Sequence, residues 1–366
     1  MKHRNTILTA FIATALLVSA CIEDIEYKGS DSKSMLVVNC ITSNGDVPVF
    51  HLSRSRSFLE YYRSNDDFKT GVDVSISVNG KVKKATYNDE AGGYTDNRPI
   101  AQGDVISVSA IHQVYGQVTA TDTVPYAQEL IVNSFTKKYV HAKTISEAFD
   151  DYAYDFDYSK VDSSLVVEID IQGRPDKDDF YILKIEPVAI YTQQLDFESE
   201  PDTVPMPLHF KVPAATKVLL GQSDATTAIL EETEEDSQFE YGSTSYIFSD
   251  QYIKDGSKLT FEVLLERPDT TSHIFYYYNQ DIDDDDYPGT PIAVQYSNEI
   301  SYQFNMKLYV VSSSYYYYHM SVTDFDNADM SFMSEPVTIL HNVKGGAGIL
   351  ATYTSKEYSI GFARQF

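Results

Sequence analysis

Val72-Asp73-Val74-Ser75-Ile76-Ser77-Val78-Asn79-Gly80 changes from apolar to polar at every step and then stops on Asn-Gly. Successive side chains of a strand point to opposite faces. The stretch therefore predicts a strand with Val72, Val74, Ile76 and Val78 buried and Asp73, Ser75 and Ser77 in water. Asn-Gly readily takes positive φ at both central positions of a two-residue hairpin, so the chain is expected to turn there and return over 82–87. Outward from this hairpin, Gly92-Gly93 turns the chain again into Tyr94, and 105–110 and 117–121 make another alternating pair. With order beginning at Met35, about seven short strands are expected before Pro125, enough for a small immunoglobulin-like, Greek-key β-sandwich over 35–125.

Asp122-Thr123-Val124-Pro125 marks a boundary, because proline removes a ladder donor and holds the preceding residue extended. Beyond it Leu165, Val167, Ile169 and Ile171 alternate with Val166, Glu168 and Asp170, and 180–191 is apolar on both faces, as a central strand is. Leu259, Phe261, Val263 and Leu265 give another amphipathic strand, and Tyr302, Phe304, Met306, Leu308 and Val310 another. A larger β-sandwich over 126–366 accounts for these, with at most one or two short helices. The proline-rich 198–207 and the acidic 231–236 read as loops or edges. Ser312-Ser313-Ser314 before Tyr315-Tyr316-Tyr317-Tyr318 breaks the strand pattern. Serines are good N-caps, and Tyr315, Tyr318 and Val322 fall at helical spacing, so a helix is expected over about 314–325. The composition agrees with a mainly β chain: 29 Tyr, 19 Phe and no Trp.

The start of the chain is of another kind. Lys2, His3 and Arg4 precede an apolar segment, 7–18, too short to span a bilayer as a permanent helix, and Ser19-Ala20 place small residues before Cys21. This reads as a secretion signal, 1–20, that ends at a lipidation site. Thioether-linked diacylglycerol and an acylated new amino terminus on Cys21 give an effectively stable anchor. Residues 21–34 are then the lipidated anchor and a polar spacer. The chain carries 54 Asp and Glu against 28 Lys and Arg, and removing the signal takes away Lys2 and Arg4 but no acid. Such a surface repels nucleic acid and anionic headgroups, which leaves the lipid as the tether. With Cys21 lipidated, Cys40 has no partner, and its apolar surroundings predict an inert buried thiol.

Tests for catalytic machinery are largely negative. No two histidines stand at the i, i+4 spacing of a zinc helix, and Cys-x-x-Cys and Gly-x-Ser-x-Gly are absent. Gly345-Gly346-Ala347-Gly348 precedes a β-like run rather than a helix, so a tight turn is expected there and not a phosphate loop. In 281–286 the carboxylates of Asp281, Asp283 and Asp285 could converge on calcium as a structural ion. The run departs from the calcium-loop template, with Asp286 where glycine is needed and Ile292 where the closing glutamate belongs, and a solvated hairpin loop ending in Pro288-Gly289 accounts for it as well. Tyr152, Tyr154, Phe156 and Tyr158 interleave with Asp150, Asp151, Asp155 and Asp157. Such a stretch is either a partner-binding surface or a segment that packs its own rings. No cofactor is implied, and the reading is not that of an enzyme.

Several of these pieces together resemble the Bacteroidota lipoprotein family known as domain of unknown function 4249. They are Cys21 with acids behind it, Leu36-Val37-Val38-Asn39, the 72–76 strand leading to Gly93-Tyr94, and 120–125. Nearer the end come Phe248-Ser249-Asp250, the 315–318 tyrosines, Glu335-Pro336 and 342–349. Cys40 and Leu350 depart from the family pattern, where glycine and an aromatic residue are usual. The resemblance implies an accessory lipoprotein encoded beside a TonB-dependent outer-membrane transporter. Glu23 and Asp24, with Glu26, look like the signal that sends such lipoproteins to the cell exterior.

The sequence thus supports a surface-exposed outer-membrane lipoprotein that binds a ligand or partner for a TonB-dependent nutrient transporter. The alternatives are a structural or adhesive surface β-sandwich protein and a surface hydrolase built on an Asp/Glu pair.

Overall fold

The alternating stretch forms strand β3 (Val72–Val78) in the computed structural model, which describes residues 34–56, 67–139, 161–172, 174, 178–194, 202–221, 240–253, 257–266, 274–277, 290–293, 295–327 and 338–363. Asn79 and Gly80 sit at φ 51° and 76°, and β4 (Lys81–Lys84) returns with Val78 opposite Lys81. The return is shorter than expected. At Ala85, whose N–H bonds the Val74 carbonyl at 2.8 Å, the chain leaves the ladder, and 86–88 become β5 (Thr86–Asn88), hairpinned with β6 (Gly93–Thr95). On its other edge β3 pairs with β7 (Val105–His112) and β7 with β8 (Gly116–Thr123), in the order β4-β3-β7-β8. The Asn79 side chain pins the turn to β7. Its amide donates to Asp104 at 2.7 Å, and its oxygen accepts the Val105 N–H at 2.9 Å.

The apolar face of this sheet lies over β1 (Leu36–Ser43) and β2 (His51–Arg54). Leu36, Val38, Cys40, Phe50 and Leu52 meet Val74, Ile76, Ile106, Val108 and Val118 in one buried cluster, the first core. Full burial of each aliphatic or aromatic side chain contributes roughly 1.5–3 kcal/mol.

The second core lies between two larger sheets. One has seven strands, in the order β12-β11-β19-β20-β1-β2 with β15 also beside β11. Its members are β11 (Phe180–Gln194), β12 (Asp202–Pro207), β15 (Thr244–Ser249), β19 (Gln295–Val311) and β20 (Ala347–Ala363). The other has five strands: β9 (Glu129–Tyr139), β10 (Val161–Gln172), β13 (His209–Lys211), β14 (Glu240–Tyr241) and β16 (Leu259–Glu266). Tyr181, Leu183 and Ile185 of β11 and Phe304, Met306 and Leu308 of β19 pack against Val167 and Ile169 of β10 and Phe261 and Val263 of β16. β11 is central, as its apolar run implied, and β12, with Pro205 and Pro207, lies at the sheet edge, where a missing N–H is tolerated. A separate hairpin joins β17 (Ile274–Tyr277) and β18 (Thr290–Ala293). Two α-helices are present among the described residues, the six-residue α1 (Ala214–Leu219) and α2 (Ser313–Asn327), and the chain is mainly β.

β20 belongs to both cores. Residues 347–353 run parallel to β1, and 353–363 run antiparallel to β19. The first core is therefore not built from residues before 125 alone, since Val343 and Leu350 are part of it. The close approach depends on glycines just before the strand and at its start. A Cβ on Gly346 would collide with the Leu36 carbonyl, and one on Gly348, at φ 107°, with the Val38 carbonyl.

Candidate binding surface

Helix α2 stands on the face of the seven-stranded sheet that is turned away from the second core. Ser312 starts it: its N–H bonds the Thr352 carbonyl at 2.9 Å, and its Oγ accepts the Tyr315 N–H at 3.2 Å, as an N-cap does. A strand would have sent the four tyrosines alternately to two faces. A helix turns about 100° per residue and fans them around its circumference. Tyr315 lies near Tyr353 of β20, with centroids 6.1 Å apart. Tyr316 stacks on Phe180 of β11 at 4.6 Å and 28°, and is buried. Tyr317 meets Phe180 edge-on at 5.6 Å yet stays 50% exposed, and Tyr318 turns toward β1. The two inward rings fix the helix to the sheet, and the other two are available at the surface.

A second segment, 338–343, borders the helix. The Asn342 side chain takes the place of a strand neighbour for Leu350, accepting its N–H at 3.0 Å and donating to its carbonyl at 2.7 Å. It also donates to Ser314 Oγ at 3.0 Å. Further along, the Leu340 N–H bonds Ser321 Oγ at 2.9 Å. Tyr317, Ser321 and Phe325 lie at i, i+4 and i+8, one side of the helix. Leu340 is therefore held beside that side, and Tyr317, Phe325, Ile339 and Leu340 are all exposed.

Next to Tyr318 opens a cleft of about 600 Å³, lined by Asn39, Ile41, Val47, His51 and Ile349 among others. It opens where the β1–β2 pairing stops, at Asn39 opposite His51. Thr42 Oγ1, buried in the cleft wall, finds no hydrogen-bond partner among the described residues. Cys40 is also in the wall, where burial pushes its thiol up to about 12, and the Val49 N–H that it accepts offsets only part of this. The inert thiol expected at Cys40 is what the fold provides.

Beneath the helix start, Asp122 is buried and accepts from Thr352 Oγ1 at 2.8 Å. Burial raises its carboxyl above the usual range, and hydrogen bonds from Ser312, Thr352, Thr123 and Ser314 pull it part of the way back. Below α2, on the same face, the sheet becomes polar. Lys184, Lys307 and Glu357 lie in one row across β11, β19 and β20, and Glu186, Asn305 and Ser359 in the next. They line a cavity of about 460 Å³. Lys307 bonds Glu357 at 2.7 Å, which raises the lysine and lowers the glutamate, so these charges largely satisfy each other.

The candidate site residues read from the sequence, Cys21, Glu23, Asp24, Glu26, Tyr152, Tyr154, Phe156, Tyr158, Asp281, Asp283 and Asp285, all lie outside the described residues. Among the described residues no group of three or more His, Cys, Asp or Glu could hold a metal, and no helix is long and apolar enough to cross a membrane. The exposed Ile41 was missed, although a signal existed. Val38, Cys40 and Thr42 share the buried phase of β1, so Ile41 falls in the outward phase with Asn39.

The model of the family described as Domain of unknown function (DUF4249) matches residues 22–359. The chain belongs to this family. The DUF4249 match ends within β20 and so takes in both cores, as it must if one strand closes both. No curated protein matches the chain.

Proposed function

We propose that this DUF4249 protein is a lipid-anchored outer-membrane lipoprotein whose body faces the cell exterior and binds a ligand or partner as an accessory of a TonB-dependent nutrient transporter. The observation that carries the reading is the convergence at Cys21 of a basic start, a short apolar segment and Ser19-Ala20, followed at once by Glu23, Asp24 and Glu26. The rings and cleft around α2 give it support, because aromatic side chains exposed beside a concavity suit recognition.

Palmitate labelling and surface protease treatment of intact cells test this together. The wild-type chain is expected to take up label and to be cleaved from outside. Cys21→Ala should abolish the label. Replacing Glu23, Asp24 and Glu26 by Ala should keep the label and lose the cleavage. Label-free wild-type protein would overturn the anchor, and undiminished cleavage of the triple variant would overturn the export signal. Affinity capture of the tagged wild-type protein should enrich a TonB-dependent transporter, and its absence from the captured material would remove the partner from the reading.

A further inference from the structure

We propose that the exposed rings Tyr317 and Phe325 of α2, with segment 339–340 and the cleft beside β1, form the surface on which this protein docks against an integral protein of its own membrane. That partner would present a face apolar at its centre and neutral or basic at its rim. The inference rests on the function proposed above and adds the place of contact.

Six large apolar side chains carry the surface. Tyr317 and Phe325 are 50% and 53% exposed, Ile339 and Leu340 37% and 50%, and Ile41 and Val47 50% and 37%. They form two groups joined through α2: Leu340 is bonded at Ser321, which lies with Tyr317 and Phe325 along one side of the helix, and Tyr318, about 100° round the helix from Tyr317, shares the cleft with Ile41 and Val47. Acids border the patch on a chain with 54 acids and 28 bases: Asp324 and Asp326 flank Phe325 in sequence, and Asp46 lines the cleft. An apolar centre with aromatic side chains inside a charged rim is the anatomy of an interface, and an acidic rim matches a basic one opposite.

Charge and position choose the occupant. A second copy would bring the same acidic excess, and an anionic headgroup surface would be repelled by it. A protein with a neutral or basic rim meets neither penalty. The 13 residues from 22 to 34 join the expected anchor to β1 and can reach at most about 45 Å. Ile41 is six residues along from Met35, about 20 Å at strand rise. The cleft end of the patch is thus within tether reach of the membrane plane, where the loops of an embedded protein stand.

A photoreactive phenylalanine analogue placed at 317 or 340 of the full-length lipidated protein, in cells, tests this. Both positions are expected to give a covalent adduct with one integral outer-membrane protein. Position 82 on β4, exposed at the far edge of the four-stranded sheet, should not. Adducts only with lipid, only with a second copy, or with equal yield from 82 would overturn the proposal. Leu340→Glu should cut recovery of the same partner by tagged protein at least tenfold with an unchanged melting temperature. Undiminished recovery would sink the docking surface and leave the function standing. If the wild-type protein recovers no membrane protein, both fall. Should Leu340→Glu not fold, the adducts on the otherwise unaltered chain decide.

Discussion

The first core and the second are both bounded by β20, and the strand enters them in different ways. In the second it is one long antiparallel neighbour among several: β11, β19 and β20 share registers of ten residues or so, and the apolar rows follow from alternation along each strand. In the first it runs parallel to β1, pairing Val38 with Gly348, and admits the β1 carbonyls only because glycines stand at 346 and 348. A core assembled from the two ends of a chain depends on a few contacts of very large sequence separation, and it closes only once the last strand is in place. A core built from long antiparallel strands has many equivalent contacts over which damage is shared.

The strongest test of that difference is Gly348→Val. The β-branched side chain must displace the Val38 carbonyl while adopting φ near 107°, and the expected cost is on the order of 4 kcal/mol or more, localised to the first core. Amide hydrogen exchange should show protection lost in β1, β3 and β7 and kept in β10, β11 and β16. Equal loss throughout would mean that the two cores are one cooperative unit.

Phe304→Ala asks the reverse question. Phe304 is buried among Phe261 and its neighbours in the second core, and truncation should cost about 3–5 kcal/mol, depending on how far the cavity collapses. Denaturant melts followed by exchange should show the second core weakened more than the first. A larger effect at Ile106 or Val108 than at Leu183 would invert the comparison.

The same contrast explains what the sequence disclosed. Alternation at 72–78, 165–171 and 302–310 shows which faces are buried, and those strands formed where expected. The serines before Tyr315 announced α2, and Gly345 to Gly348 were legible as a turn into a strand. Periodicity describes a strand's faces and says nothing of its partner, so the parallel pairing of β1 with β20 could not be read. The site suffered most from this. Its cleft opens where the short β1–β2 register ends, its rim comes from residues some three hundred positions apart, and the one local clue was Ile41 out of phase. The α1 helix was unmarked as well, being a single turn and a half held by Thr216 Oγ1 accepting the Thr260 N–H at 2.9 Å.

Asp122 sits where β8, β20 and the start of α2 meet, and it gives the smallest effect and the finest test of how the first core is joined to the helix. Burial raises its folded pKa, so the folded state holds the proton more tightly than the unfolded chain. A buried carboxylate near neutral pH therefore costs stability. That cost is relieved as pH falls through the raised value and is fully relieved below the ordinary carboxyl value of 3.8. Asp122→Asn carries no such titration. Pairs such as Glu129 with Lys356 and Glu168 with Lys258 have lowered carboxyls and lose their contribution on acidification, but they are common to both proteins and cancel in the difference. The melting temperature of wild type minus that of Asp122→Asn should therefore rise steadily from pH ~7 to ~4. A difference that falls over that range would mean that the hydroxyls of Ser312, Ser314 and Thr352 and the helix start hold the charge more strongly than burial opposes it. Asp122 would then be an anchor of α2 in its ionised form, and acidification would loosen the helix instead of tightening its seat.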